Sequence, residues 1–231
     1  MPEPTHKLAT IVFTDIVGFT KLSAENEPLA IQLLQTQRTT LKPIVERHSG
    51  HWLKEIGDGL LLTFDTTKDA VDCSIEMQHT VKNVANLDLR IGIHQGEVVI
   101  QGDDVIGDDV NVASRVEPFA SPGGVVITNR VNASLLRDPV YQTKLIGEPK
   151  LKGVRQDVKL HCIISHGLPE TDLSKVSAKM ESKSPSPASS AASSTSPQEQ
   201  QIKKKSSLPL IIGGIIGAVI IAGIAIFFMS G

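Results

Sequence analysis

The chain has 231 residues and a formal net charge of −2, from 23 basic and 25 acidic side chains, and only 3% of its residues are aromatic. This composition provides neither a basic field nor a stacking surface, so nucleic acid is not expected as a partner. The two cysteines, Cys73 and Cys162, lie in apolar stretches without the spacing of a metal site or a disulfide framework, which fits a reducing compartment.

The N-terminal part of the chain alternates between apolar runs typical of strands and amphipathic stretches typical of helices. Strands are predicted at residues 8–13, 51–56, 60–64, 87–93, 97–100, 125–128, 141–146 and 158–164, and helices at 28–49, 68–84, 108–119 and 129–137. Pro43 is expected to kink or break the first helix, and Gln95 and Gly96 are expected to form a turn. This alternation predicts an α+β domain at residues 7–166, with a mixed sheet covered by helices.

The composition changes after residue 166. Residues 167–207 are rich in Ser, Pro, Ala and Lys and have too few apolar side chains to fold, so we predict a disordered linker there. Residues 208–229 have no charged side chain and are long enough, at about 1.5 Å per residue, to cross a hydrocarbon core of roughly 30 Å, which predicts one C-terminal transmembrane helix. Three lysines at 203–205 favour a cytoplasmic location for the N-terminal domain. Residues 1–7 lack the apolar core of a signal peptide, so export of that domain is not expected.

Asp15 and Asp58 each stand where an apolar run meets glycine, the setting in which a strand ends and backbone amides become available. Asp58 lies between Gly57 and Gly59, a hairpin signal that places it at the tip. Two such carboxylates brought together in a sheet bind hard divalent cations through oxygen. Gly18 leaves the amides that follow it open to phosphate oxygens. The pattern therefore predicts a metal and polyphosphate site.

A third pattern joins an amide to a guanidinium. Asn111 and Arg115 are four residues apart in a predicted helix, so they project from one face of it. Together they can bind sugar and phosphate oxygens and offset the charge that develops in phosphoryl transfer. By itself such a pair is more often a solvated helix face, but here it accompanies two carboxylates suited to metal ions.

Six short motifs follow one another in the sequence: FTDIVGFT at 13–20, KEIGDG at 54–59, RIGIHQG at 90–96, DVIG at 104–107, VNVASR at 110–115 and LKG at 151–153. In order and interval they resemble the catalytic domain of class III adenylate and guanylate cyclases, from residue 9 to about 164. Several ordered motifs are far more specific than any one of them. The resemblance implies a ferredoxin-like βαββαβ core that works as a head-to-tail homodimer, with each active site shared across the interface.

The resemblance also implies the conversion of ATP to 3′,5′-cyclic AMP and pyrophosphate with two Mg²⁺ or Mn²⁺ ions in each site. Asp15, Asp58 and the carbonyl of Ile16 would hold these ions. The cradle for the β and γ phosphates would consist of the backbone amides of Val17, Gly18, Phe19 and Thr20. From the opposite subunit, Asn111 would orient the ribose and Arg115 would offset the charge at the reacting phosphorus.

Lys152 is implied to bind the terminal phosphates. Many relatives have a second Lys-Gly pair directly after the first, whereas this chain has Val154 and Arg155, so Arg155 could share the role or take it. Lys54 and Asp104 match the positions that contact the purine. A lysine can donate to adenine N1 and an aspartate can accept from its 6-amino group, which favours ATP.

Two other functions stay open at this point. A guanylate cyclase, or one of mixed specificity, would differ only in its purine contacts. A catalytically silent cyclase-homology module would bind nucleotide or a partner at the membrane, and the presence of Asp15, Asp58, Asn111 and Arg115 argues against it. We predict a structural or interface role for His94, because metal activation of the hydroxyl makes a separate base unnecessary.

Overall fold

The computed structural model describes residues 5–101 and 104–171. Its strands are β1 Thr5–Ile16, β2 His51–Ile56, β3 Gly59–Phe64, β4 Leu89–Gln101, β5 Asp104–Ile106, β6 Val125–Thr128, β7 Thr143–Gly147 and β8 Leu160–Ile163. Its α-helices are α1 Phe19–Glu25, α2 Glu27–Arg47, α3 Thr67–Val81, α4 Asp108–Val116 and α5 Asn129–Leu135, and a 3₁₀ turn at Glu117–Phe119 follows α4.

The predicted transmembrane helix at 208–229 and most of the predicted linker at 167–207 lie outside the described residues. Within the described part of the chain, no helix is both long enough and apolar enough to cross a membrane. The contacts of the folded domain continue beyond residue 166, because Leu168 is buried in the largest hydrophobic cluster.

All the strands belong to one sheet, in the order β2-β3-β1-β4-β6-β8-β7, with β5 paired to β4. β4 and β6 run parallel and the other pairs are antiparallel, so the sheet is mixed as predicted. The first four strands and their connecting helices form the expected βαββαβ order, with two helices, α1 and α2, in the first crossover. β1 is central in this half, because it pairs with β3 on one side and along its whole length with β4 on the other.

The two faces of the sheet carry different helices. Val12 and Ile16 of β1 pack in the cluster that contains the buried faces of α2, α3 and α5. Ala9 and Ile11 pack in a second cluster with Ala113 of α4. Because successive side chains of a strand point to opposite faces, the odd-numbered residues of β1, including Asp15, lie on the α4 face.

Two local predictions were wrong and a third was wrong in part. α1 was missed, because its residues Phe19–Glu25 include no buried side chain and so give no apolar period. Pro43 does not break α2, because burial of Leu41 and Ile44 on either side of it outweighs the one hydrogen bond that proline removes; a kink there stays a prediction. β4 passes straight through Gly96, where a Cβ atom would lie 2.1 Å from the side chain of Asp109. Glycine is present there for close packing and not for a turn.

Packing of α2 gives a stability prediction with a control on the same helix. Leu41 is 0% exposed and Ile31 is 61% exposed. We expect Leu41→Ala to lower the free energy of unfolding in urea by about 2–5 kcal/mol, because it leaves a cavity as well as losing apolar burial. Ile31→Ala is expected to change it by less than about 0.5 kcal/mol. Equal losses for the two variants would contradict the assigned orientation of α2.

Glu76 joins α3 to the end of α2, because its carboxylate accepts hydrogen bonds from Arg47 and, at 2.7 Å, from Nε2 of His48. The bond from His48, with help from Arg47, holds the pKa of Glu76 below its usual value of 4.5 in spite of partial burial. A carboxyl whose pKa is lowered by folding stabilises the protein above its unfolded pKa and loses that contribution as the pH falls through the folded value.

We therefore expect Glu76→Gln to lower the free energy of unfolding at pH 7 by up to about 1 kcal/mol, since the pair is partly exposed. The difference from the unchanged chain is expected to shrink as the pH falls below 4.5. Urea titrations at several pH values measure this difference. Glu46→Gln is the control, since Glu46 is exposed on α2 and its side chain has no ion-pair partner in the described part of the chain. A difference that grows as the pH falls below 4.5 would contradict the assignment.

Candidate active site

The hairpin between β2 and β3 brings Asp58 to the end of β1. The amide of Ile16 donates to Oδ2 of Asp58 at 2.9 Å. The buried side chain of Gln37 on α2 donates to the Asp58 carbonyl at 3.0 Å and ties the hairpin to that helix. Gly59 is required next to it, because a Cβ atom there would lie 2.6 Å from the carbonyl oxygen of Thr14. These contacts fix the Asp58 carboxylate against the strand that carries Asp15.

Asp15 is paired with an arginine that the sequence analysis left without a role. The antiparallel register places Arg90 of β4 directly opposite Asp15 of β1. Arg90 donates from Nη2 to the Asp15 carboxylate, and from Nε to Oε1 of Glu117 at 2.8 Å. Glu117 is only 11% exposed and lies directly after α4. The RIGIHQG motif contained the arginine, but only the strand register reveals its partner.

The site carries an excess of negative charge. Burial raises the pKa of the Asp58 carboxyl above its usual range, and the neighbouring charge of Asp15 raises it further, against the opposing hydrogen bond from the Ile16 amide. Arg90 pairs with two acidic groups of this site, Asp15 and Glu117. Ionised, Asp15, Asp58 and Glu117 together carry two more charges than Arg90 offsets.

The donor set at this site fits divalent metal ions. Two facing carboxylates with uncompensated charge, next to the free end of a strand, are the oxygen ligands that Mg²⁺ and Mn²⁺ take. No group of three or more His, Cys, Asp or Glu side chains among residues 5–101 and 104–171 is arranged as a metal centre by itself. The carboxylates of Asp15 and Asp58 would therefore need backbone, substrate or water oxygens to complete a coordination shell.

The segment from Val17 to Thr20 turns sharply beyond β1. Gly18 has φ 78° and ψ 8°, a left-handed conformation that suits glycine, and α1 begins at Phe19. Amides in the first turn of a helix have no acceptor within it, so those of Phe19 and Thr20 are available to an anion. The amide of Val17 is not available to an anion, because it donates to the carbonyl of Asp88 at 2.8 Å.

Asn111 and Arg115 lie on the exposed side of α4, whose opposite side buries Val112, Ala113 and Val116. Neither of the two side chains makes a hydrogen bond or an ion pair with another described residue. They are on the same face of the sheet as Asp15 but do not contact it within one chain. The structure of a single chain therefore brings Asp15 and Asp58 together and leaves Asn111 and Arg115 apart from them.

The remaining predicted residues lie on strands and loops around this face. Lys54 is an exposed residue of β2, and β2 lies beside β5, which begins at Asp104. Lys152 and Arg155 are exposed on the segment between β7 and β8, where Gly153 has φ 79°. His94 is buried at 1% exposure and hydrogen-bonded to Thr128 and Asp109, as a structural histidine would be.

Comparisons with known proteins agree on one family. The profile of the adenylate and guanylate cyclase catalytic domain matches residues 1–165. Putative adenylate cyclase 3 of Rhizobium meliloti is 35% identical over 135 residues, which are 54% of this chain and 23% of that protein. The pH-sensitive adenylate cyclase MT1302 of Mycobacterium tuberculosis is 33% identical over 168 residues, which are 69% of this chain and 41% of that protein. The chain thus spans less than half the length of these curated relatives. Receptor-type guanylate cyclases of Caenorhabditis elegans also match.

Among solved structures, the adenylate/guanylate cyclase/hydrolase from Silicibacter pomeroyi superposes with a TM-score of 0.66 at 25% identity, over 73% of this chain and 100% of that one. The adenylyl cyclase CyaB from P. aeruginosa superposes with a TM-score of 0.63 at 26% identity, over 71% of this chain and 97% of that one. Fold, ordered motifs and profile agree over the same residues. The chain therefore belongs to the adenylate and guanylate cyclase catalytic-domain family.

Proposed function

We propose that the protein is a membrane-anchored adenylate cyclase that converts ATP to 3′,5′-cyclic AMP and pyrophosphate at sites shared by a homodimer. The observation that carries the proposal is the pair of carboxylates, Asp15 and Asp58, held together at the end of β1 with more negative charge than Arg90 offsets. Such a pair is suited to divalent cations that accompany a polyphosphate.

Asp15, Asp58 and the carbonyl oxygen of Ile16 would hold two Mg²⁺ or Mn²⁺ ions. When bound, such ions lower the pKa of the ribose 3′-hydroxyl and offset the charge of the leaving pyrophosphate. The 3′-oxygen forms a bond to the α-phosphorus, and the bond from that phosphorus to the oxygen bridging it to the β-phosphate breaks. The hydroxyl proton passes to solvent and pyrophosphate leaves.

The residues of the chain bind and orient the nucleotide. The amides of Gly18, Phe19 and Thr20 donate to the β and γ phosphates from the start of α1. Arg90 pairs with Asp15 in the chain alone, and we assign it to the same phosphates, with Asp15 released to its metal role. Lys152 and Arg155 approach the terminal phosphates from their exposed loop.

Asn111 and Arg115 complete the site from a second subunit. Asn111 orients the ribose, and Arg115 offsets the charge that develops on the reacting phosphorus. Two features of the single chain support a dimer. An exposed asparagine and arginine on one helix face have no partner among the described residues. The same face of the sheet leaves four apolar side chains only partly buried, namely Phe13, Leu53, Ile100 and Val110.

Lys54 and Asp104 are proposed to select adenine. A lysine ammonium donates to adenine N1, whereas guanine carries a hydrogen at that position. The neighbouring strands β2 and β5 place the two residues on adjacent elements. The apolar residues 208–229 are proposed to anchor the domain to a membrane from its cytoplasmic side.

The first test is product formation by the full-length chain with Mn²⁺ and either ATP or GTP. We expect cyclic AMP from ATP and little product from GTP. Asp58→Asn is expected to lower kcat by about 100-fold or more, because it removes a carboxylate that would hold the metal ions. Each tenfold loss corresponds to about 1.4 kcal/mol of transition-state stabilisation. The control is Asp65→Asn at the other end of β3, an exposed carboxylate paired with Lys7.

The unfolding temperature of Asp58→Asn distinguishes a loss of catalysis from misfolding. The raised pKa of Asp58 means that its ionised form destabilises the fold, so Asp58→Asn is expected to unfold at the same temperature as the unchanged chain or higher. Cyclic GMP as the main product would retain the mechanism and overturn the purine assignment. No product from either nucleotide, in a well-folded dimer, would favour the silent cyclase-homology module.

A second test asks whether each active site is formed by residues of two subunits. Asp58→Asn and Arg115→Ala are each expected to lose about 100-fold or more in kcat alone, with a residual activity that can still be measured. Mixed in equal amounts after subunit exchange, they are expected to recover about a quarter of full activity, since half of the dimers are then mixed and each mixed dimer has one intact site. Asp58→Asn mixed with Asp15→Asn is the control, because every site then lacks a carboxylate. Recovery in the control, or none in the first mixture, would contradict a site shared between subunits.

A further inference from the structure

Asp109, in the first turn of α4, contacts the middle of β4 through its carboxylate. The amide of Glu97 donates to Oδ2 of Asp109 at 2.8 Å, and Nε2 of His94 lies 3.0 Å from Oδ1. The carboxylate packs directly on Gly96, where any side chain would collide with it. The start of α4 is therefore attached to β4 by the half-buried carboxylate of Asp109, in addition to the packing of the apolar side of the helix.

His94 extends this contact into the sheet. Its ring is 1% exposed and its Nδ1 lies 2.9 Å from the hydroxyl of Thr128 at the end of β6. Burial lowers the pKa of His94, so the ring is neutral at neutral pH and carries one N–H. An ionised Asp109 can only accept, so that hydrogen is on Nε2 and Thr128 donates to Nδ1. Each polar atom of the ring then has a partner.

The outer side of the carboxylate faces two further elements. Nη1 of Arg130 on α5 and Nε2 of Gln156 each lie 3.5 Å from Asp109, and Nη2 of Arg130 lies 3.5 Å from Oε1 of Gln156. These distances are long for directional hydrogen bonds, but the opposite charges of Asp109 and Arg130 attract at this range. Gln156 directly follows Arg155, so the carboxylate also faces the loop assigned to the terminal phosphates.

We propose that Asp109 is a positioning residue, which fixes α4 and the 151–157 loop to β4 and so sets where Asn111, Arg115 and Arg155 stand relative to the nucleotide. This inference rests on the proposed cyclase function. Asn111 is two residues from Asp109 and Arg115 is six, so a displaced start of α4 moves both. Misplacing transition-state groups by about 1 Å can cost on the order of 100-fold in rate.

Asp109→Asn tests the proposal in the full-length chain, with Asp108→Asn as the control. Asp108 is exposed in the same turn of α4, so the control removes the same charge from the same helix end. We expect Asp109→Asn to lower kcat by about 10-fold or more, with KM for ATP changed less than about threefold. Asp108→Asn is expected to change kcat less than about twofold.

A combination with Arg115→Ala separates positioning from loss of stability. Asp109→Asn is expected to lower kcat by a smaller factor in the Arg115→Ala background than in the unchanged chain, because part of its effect is the displacement of Arg115. A merely structural role predicts the same fold-loss in both backgrounds. Hydrogen–deuterium exchange gives a readout without turnover: faster exchange is expected at 108–116 and 151–157, and unchanged exchange in α2 and α3.

Gly96→Ala reaches the same carboxylate from the opposite side and keeps its charge. The new Cβ would lie 2.1 Å from Cγ and 2.3 Å from Cβ of Asp109, so both the carboxylate and the start of α4 must move, and we expect at least the same loss of kcat and the same coupling to Arg115. The proposal is overturned if Asp109→Asn matches Asp108→Asn in kcat and in exchange. If the unchanged chain makes no cyclic nucleotide, the proposed function fails, and the exchange measurement by itself still decides whether Asp109 fixes the two segments.

Discussion

Two carboxylates that repel each other, Asp15 and Asp58, are held together at the end of β1 by contacts with a backbone amide and an arginine. The amide of Ile16 donates to Asp58, and Arg90 stands opposite Asp15. Both contacts come from the backbone and register of β1, the strand that pairs with both β3 and β4. The resulting site carries unfavourable negative charge in the protein alone, which divalent cations would relieve.

Helix α4 connects this site to the rest of the sheet. On its inner side, Ala113 packs with residues of β1 and β4, and Val112 and Val116 pack with residues of β6 and β8. Its ends are fixed by two acidic groups, Asp109 at the start and Glu117 just beyond the last turn. Its outer side presents Asn111 and Arg115 to solvent. One short helix thus combines an inner side fixed by packing with an outer side that we propose to act in the site of a second copy of the chain.

Much of the fold follows from sequence periodicity. The β2–β3 hairpin around Gly57 and Gly59, the strand β6 and the amphipathic helix α3 were all predicted within a few residues, because each has a strong local signal. The errors arose where the cause is a contact distant in sequence. Gly96 was taken for a turn, but it leaves room for Asp109, and no local pattern could indicate that.

For the candidate site too, some features follow from the sequence and others only from the tertiary structure. The sequence by itself determined which residue types the candidate site would use, because Asp15, Asp58, Asn111 and Arg115 occur in several motifs whose order and spacing are specific together. Only the tertiary structure decided that Arg90 pairs with Asp15, that the Val17 amide is already bonded to Asp88, and that Asp109 joins four elements. Those facts depend on strand register and on the packing of α4 over the sheet, and both are set by contacts between residues far apart in the chain.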